Sequence, residues 1–358
     1  MTIGRDLTDP THIGDDGPVP GTKDPTYENI DVPEDFGPID ILVDDMKIKR
    51  FAFVADDFGD WYLKGSPWGP RIGQAGLLAN DLLQMFTTRY AASLVVGLHT
   101  SEELRWHRPV MLGDQVRLTA RYTEKFEHRG QGSVVLEADA RDTRGNLLIH
   151  HRGVEIMRTN PAEVAGRGSA SPSGPRITGE YDTSLPTADR LQEPLVPGTG
   201  LTPLRKEVTF EQMAVFSRLG EFVRNIHNDL ERARAAGLTV PIVQGQQQVC
   251  YLAERAVRAF GAAWFTGGWL RVKFLRPVRA FEVIEVAGVV RDVERDADRT
   301  TAELDMWVRG ADGRLSTVAW ARCALESNAG AQAIAGPVGP AARGDARKAG
   351  VIPDRSSN

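Results

Sequence analysis

Two runs of period-two alternation between apolar and polar residues dominate the chain, and both follow the same internal order. In the first, Leu104–Val110 leads to Asp114–Tyr122, Ser133–Ala140, a turn at Asp142-Thr-Arg-Gly145, and Leu147–Met157. In the second, Leu270–Val278 leads to Glu282–Val290, Thr301–Val308, a turn at Gly310-Ala-Asp-Gly313, and Leu315–Leu325. Apolar side chains at every second position put one face of each strand in a core, and the glycine-containing turns join neighbours as antiparallel hairpins. The runs copy one plan. The triplets Arg108-Pro-Val110 and Arg276-Pro-Val278 lie 168 residues apart, and so do Gly145 and Gly313. Self-similarity at a fixed spacing marks a duplicated unit.

A helical pattern precedes each run. Gly76–Phe86 has apolar side chains at 78, 82, 85 and 86, and Val249–Phe260 has them at 249, 252, 253, 256, 257 and 260. Both fit a 3.6-residue period with one broad apolar face. A long helix followed by four antiparallel strands, twice over, predicts a helix wrapped by a sheet in each half. Joining the sheets into one surface is the simplest protection for their edges. The expected class is therefore α+β, a double hotdog. Its expected parts are an extended arm at 1–38, a first unit at 39–158, a linker at 159–202, a second unit at 203–327 and a tail at 328–358. Arm, linker and tail are rich in Gly, Pro, Ser or Ala and lack apolar periodicity. The arm and the linker are expected either to stay unstructured or to wrap the units as ordered coverings.

Several residues between linker and second helix resemble the MaoC-like family of (R)-specific enoyl-thioester hydratases and dehydratases. That family's motif runs Gly-Asp-x-Asn-Pro-(Ile/Leu)-His-x-Asp, followed by an Ala-rich turn and a glycine that opens the hotdog helix. Here Phe216-Ser-Arg-Leu-Gly-Glu221 resembles the opening, Asn225-Ile-His-Asn-Asp229 the centre, Ala233–Gly237 the turn and Val240–Gly245 the approach to the helix. Val272-Lys-Phe-Leu-Arg-Pro-Val278 is similar to a strand of the same family. The resemblance spans about 40–158 and 203–326 and implies a lyase that needs no cofactor and acts on a 2-enoyl or 3-hydroxyacyl thioester. On it, His227 and Glu221 are the catalytic pair, Gly245 with Gln246 and Asn225 binds substrate and oxyanion, and Asp229 is structural near the site. Two departures stand out. The family's five-residue spacing before the histidine falls on Phe222, and the motif proline is missing, so either Glu221, six residues ahead, still reaches the site or the site is altered for different chemistry. The first half keeps Phe58-Gly-Asp60 but follows it with Trp61-Tyr-Leu-Lys, so it is expected to be a degenerate half that makes room for the acyl group.

The chemistry fits the residue types. Moving water on or off a conjugated thioester builds negative charge on the carbonyl oxygen, which free N–H groups at a helix start stabilise. An imidazole near neutrality moves the protons. Gln244, Gln247 and Gln248 flank the same helix start, as substrate contacts or as solvated side chains. His150 and His151 are neighbours on one strand and so point to opposite faces, while His99 and His107 lack partners at ligand spacing, so no metal is expected. Three other readings share the frame: a hotdog thioesterase, a non-catalytic acyl-thioester binding protein, and a specialised elimination or cyclisation of a thioester intermediate.

Composition narrows the field further. A net charge of −5 over 358 residues gives no reason to expect nucleic acid or an anionic membrane as partner. Two cysteines, Cys250 and Cys323, are too few for a disulfide framework and suit the cytoplasm. The expected partner is an acyl thioester of coenzyme A or of a carrier protein, and both a lone double unit and a homodimer of such units fit. Arg105, Arg271 and Lys273 are either coenzyme-phosphate ligands or members of surface ion pairs.

Overall fold

The structure, a computed structural model, describes residues 21–95, 97–128, 130–157, 176–216 and 224–326. Among these residues ten strands form one antiparallel sheet. They are β1 Glu34–Leu42, β2 Leu98–Trp106, β3 Gln115–His128, β4 Gln131–Asp142, β5 Leu147–Ile156, β6 Leu204–Glu207, β7 Trp269–Phe274, β8 Val283–Arg295, β9 Thr300–Gly310 and β10 Leu315–Ala324. Their spatial order, β1-β3-β4-β5-β2-β7-β10-β9-β8-β6, is the same five-strand pattern read outward from a central seam in both directions. At the seam β2 pairs with β7, with Ser101 opposite Lys273 and Leu104 opposite Leu270. The expected double hotdog is what the chain forms.

Seven helices accompany the sheet among the described residues: α1 Asp45–Ala55, α2 Asp60–Leu63, α3 Leu77–Leu83, α4 Phe210–Phe216, α5 Leu230–Ala235, α6 Gly245–Phe260 and α7 Trp264–Gly267. The long α6 is buried along nearly its whole length and packs on β7 to β10. Its first-half counterpart α3 is shorter than the run Gly76–Phe86 predicts, giving way to a 3-10 turn at Gln84–Thr88. Thr87 and Thr88 explain the change: their hydroxyls donate to the carbonyls of Gln84 and Met85 at 2.7 and 2.8 Å, competing with the helix ladder. α3 and α6 touch at Gly76, where an added Cβ would lie 2.6 Å from Cys250 Sγ, so only glycine lets these elements approach so closely.

The arm expected at 1–38 contributes Glu34 to Pro38 to β1. Residues 176–202 of the expected linker cover the second half. Leu191, Leu195 and Leu201 are buried, Leu191 N–H donates to Ala259 O at 2.9 Å, and the buried Arg255 donates to Asp189 Oδ1 at 2.6 Å and Thr202 O at 2.8 Å. The tail expected at 328–358 lies outside the described residues. Among the described residues no helix is long and apolar enough to cross a membrane.

Candidate active site

The segment from 224 to 229 is a turn that builds itself. Asn225 Oδ1 accepts from the His227 N–H at 2.8 Å, and Asn228 Oδ1 accepts from the Asn225 N–H at 2.8 Å. Short amide side chains bonding to nearby backbone are the normal chemistry of such turns. Asp229 then caps α5, its Oδ1 accepting from the Arg232 N–H at 2.8 Å, and its other oxygen pairs with Arg224 Nε at 2.7 Å. Both Asn225 and Asp229 thus hold the loop that carries His227.

Two hydrogen bonds tie this loop to the approach of α6. The Ile242 N–H donates to Ile226 O at 3.4 Å, and His227 Nδ1 lies 2.7 Å from Ile242 O. A carbonyl only accepts, so Nδ1 carries the proton and Nε2 keeps its lone pair. Ile226, Ala236 and Ile242 form a small apolar cluster beside the ring. Burial pushes the imidazole down to about 4, partly offset by the bond to Ile242, so His227 is neutral at pH 7.

Three residues beyond Ile242, Gly245 opens α6, and Gln244 at the cap position makes no side-chain bond to the helix. The N–H groups of Gln247 and Gln248 donate to Gln244 O at 3.1 and 3.4 Å. Those of Gly245 and Gln246 stand before the first helical acceptor, where a helix leaves donors unmatched and its dipole is positive. A Cβ at 245 would come within 3.0 Å of the Phe274 ring, so glycine is what lets this ring sit against the helix start. The other glutamines divide. Gln247 donates to Val54 O at 2.9 Å and Gln248 Oε1 accepts from Thr317 at 2.6 Å, both in the core. Gln246 is fully buried, and its side-chain amide makes no hydrogen bond of good geometry among the described residues.

The expected acid, Glu221, lies outside the described residues. Asp60, where the first half parallels the motif, is an exposed residue paired with Lys64 at 2.9 Å. His150 pairs with Asp139 at 2.8 Å on one face, while His151 is fully buried on the other, as strand alternation requires. Of the basic side chains near the Arg-Pro-Val strands, Arg105 is exposed and pairs with Glu103 at 2.9 Å.

One group of titratable residues went unread in the sequence. Glu102, with a fully buried side chain, has His99 Nε2 at 3.5 Å and His151 Nε2 at 3.4 Å. In a regular strand residues 99 and 102 point to opposite faces, but the pairing of β2 with β5 shifts register between His99 and Ser101 and breaks that alternation. His151 arrives from β5, far away in sequence, so no local spacing signals the group. Among the described residues no three His, Cys, Asp or Glu side chains are arranged to hold a metal ion.

No protein-family model matches the sequence, and no curated protein matches it significantly. Solved structures do share its shape. One described as a MaoC domain protein dehydratase from Chloroflexus aurantiacus superposes with a TM-score of 0.62 at 11% identity, covering 86% of this chain and 97% of that one. A second, described as a MaoC-like dehydratase, gives 0.60 at 15% identity over 82% and 97%. A conserved hypothetical protein of Mycobacterium tuberculosis with a double hotdog fold gives 0.55 at 12% identity over 84% and 98%.

Proposed function

On a chain with the double-hotdog fold of the MaoC-like dehydratases, we propose a hydro-lyase that adds water to a 2-enoyl thioester or removes it from a 3-hydroxyacyl thioester. The observation that carries this reading is the 2.7 Å bond that ties a neutral His227 imidazole to Ile242, the residue three positions ahead of Gly245. In the hydration direction, water attacks the β-carbon and gives its proton to His227 Nε2. The alkene electron pair moves to the thioester oxygen, whose charge the Gly245 and Gln246 N–H groups meet. The imidazolium then returns a proton to the α-carbon, so the base is regenerated and the sum is one water added. Glu221 is the candidate for orienting that water. Substrate arrives as a coenzyme A or carrier-protein thioester.

The test is loss of the enoyl-thioester absorbance with crotonyl- and longer 2-enoyl-coenzyme A, comparing wild type with His227→Ala. Wild-type hydration that falls by ~10²-fold or more in the variant supports the reading, since general acid–base help is typically of that size. Release of free thiol without hydration assigns thioester hydrolysis instead. No turnover at any chain length removes general hydratase activity and favours a specialised substrate or a binding role.

A further inference from the structure

The buried cluster of β2 and β5 lies against the helix start just described. His99 packs on Phe274 with ring centroids 4.8 Å apart and planes tilted by 43°, and Phe274 is the ring that covers Gly245. Glu102 lies beside the Gln246 side chain, whose amide keeps the carboxyl from being driven up further by burial. Gly153, opposite Glu102 in the pairing of β2 with β5, makes the space. A Cβ there would meet His151 Cε1 at 3.0 Å and His99 Nε2 at 3.4 Å. Cys250 on α6 and Glu155 on β5 lie near enough to interact electrostatically with Glu102. A first-half carboxyl thus reaches, by two routes across the seam, the two residues whose N–H groups the proposed chemistry uses.

We propose that Glu102 is a positioning residue for the Gly245–Gln246 turn, acting through the Gln246 amide and, with His99, through the Phe274 ring. The proposal rests on the hydro-lyase reading for its catalytic consequence, though not for its structural one. Burying polar side chains with unmet hydrogen bonds is costly, and the atoms of Glu102, His99, His151 and Gln246 all lack bonds of good geometry, so packing alone does not account for them. Burial drives the Glu102 carboxyl well above its ordinary range and His99 and His151 down to about 4 and about 3. Burial thus disfavours the charged form of all three side chains. The polar contact of Glu102 with the Gln246 amide orders the turn, and burial limits the charge it would set against an oxyanion at the helix start. The degenerate half, on this view, supports the site of the other half from behind.

Glu102→Gln keeps a neutral hydrogen-bonding group, and Glu102→Met keeps the volume alone. With the enoyl-thioester assay, the glutamine variant should keep kcat within a few-fold of wild type. The methionine variant should lose roughly tenfold or more in kcat with KM little changed, short of the ~10²-fold that removing an oxyanion donor itself costs. Amide hydrogen exchange at residues 244–250 should quicken in Glu102→Met and not in Glu102→Gln. The infrared difference between wild type and Glu102→Gln at pH 7 should contain the C=O band of a protonated carboxylic acid. A carboxylate signature in that difference, unchanged exchange in Glu102→Met, or an active wild type indifferent to either substitution overturns the proposal. A wild type without turnover overturns the hydro-lyase reading, while exchange and infrared still decide the role of Glu102. The infrared arm needs only the glutamine variant, so it holds even where methionine prevents folding.

Discussion

A histidine held neutral can serve as a base over a wider pH range than one left in water, and His227 is placed to show this. Its ring is pushed down from 6.5 to about 4 by burial, and the bond to Ile242 fixes the proton on Nδ1. The acid limb of kcat/KM for hydration is therefore expected near pH 4, with a plateau from there through neutrality. A limb near 6.5 in the measured profile contradicts this assignment. Glu155 makes the opposite case. Burial lifts its carboxyl from 4.5 to about 7, above the unfolded value, so its contribution to stability is fully present below about pH 4.5 and is lost as pH rises through 7. Glu155→Gln removes the titration, so its stability relative to wild type should rise between pH 5 and pH 8. The ceiling is roughly 3 kcal/mol, at about 1.4 kcal/mol for each tenfold change. Chemical denaturation at both pH values measures the difference, and an unchanged gap sinks the idea. The residues of the loop and helix start were legible in sequence because their partners are close along the chain, as Asn225 is to His227. Glu102 and its two histidines were not, since strand pairing and a register shift assemble them.

Helix α1 shows how much of the architecture depends on one element's end. Its start is local: Asp44 Oδ1 accepts from the Lys47 N–H at 2.6 Å. Its last carbonyls, and that of Asp56 beyond them, are met by side chains of the other half. Gln212 donates to Phe53 O at 3.0 Å, Gln247 to Val54 O at 2.9 Å, and Lys206 to Ala55 O at 3.1 Å and Asp56 O at 2.6 Å. Lys206 also forms an ion pair with buried Glu254 at 2.6 Å. Lys206→Met leaves a buried carboxylate with Arg258 as its remaining partner and uncaps the helix, and it should cost about 3 kcal/mol in urea unfolding. Adding Glu254→Leu should recover part of that loss, whereas two additive losses would show that the pair is not coupled. Gln247 sits two residues past Gly245, so this contact also anchors the start of α6 to the first half. Sequence reading missed α1 and β1 because, among the described residues, neither has a counterpart of equal length in the second half, and the duplication was the strongest signal. It overran α3 because the apolar period continues through Met85 and Phe86 while Thr87 and Thr88 bond back to the turn.

At the scale of the molecule, the seam between β2 and β7 turns two open sheets into one. Separated, each half would present a seam strand with unpaired N–H and C=O groups and apolar side chains such as Leu104, Leu270 and Val272, a template for unwanted pairing. Three further sets of contacts cross the same divide: Gly76 against Cys250, the side chains that meet the last carbonyls of α1, and the His99–Phe274 ring contact. Covalent linkage of the halves is then less important than these contacts. Produced together as two polypeptides, 1–165 and 166–358, the halves should copurify one to one and elute together on gel filtration. Produced singly, each should aggregate or pair with itself through its exposed seam strand. If both halves instead behave as well-folded monomers, the seam is not a stability requirement. Support of Gly245 by the first half would then have to be shown in the assembled chain alone. Copurification with restored hydration activity, set against inactive single halves, would locate the working unit in the joined sheet, where each half completes what the other leaves open.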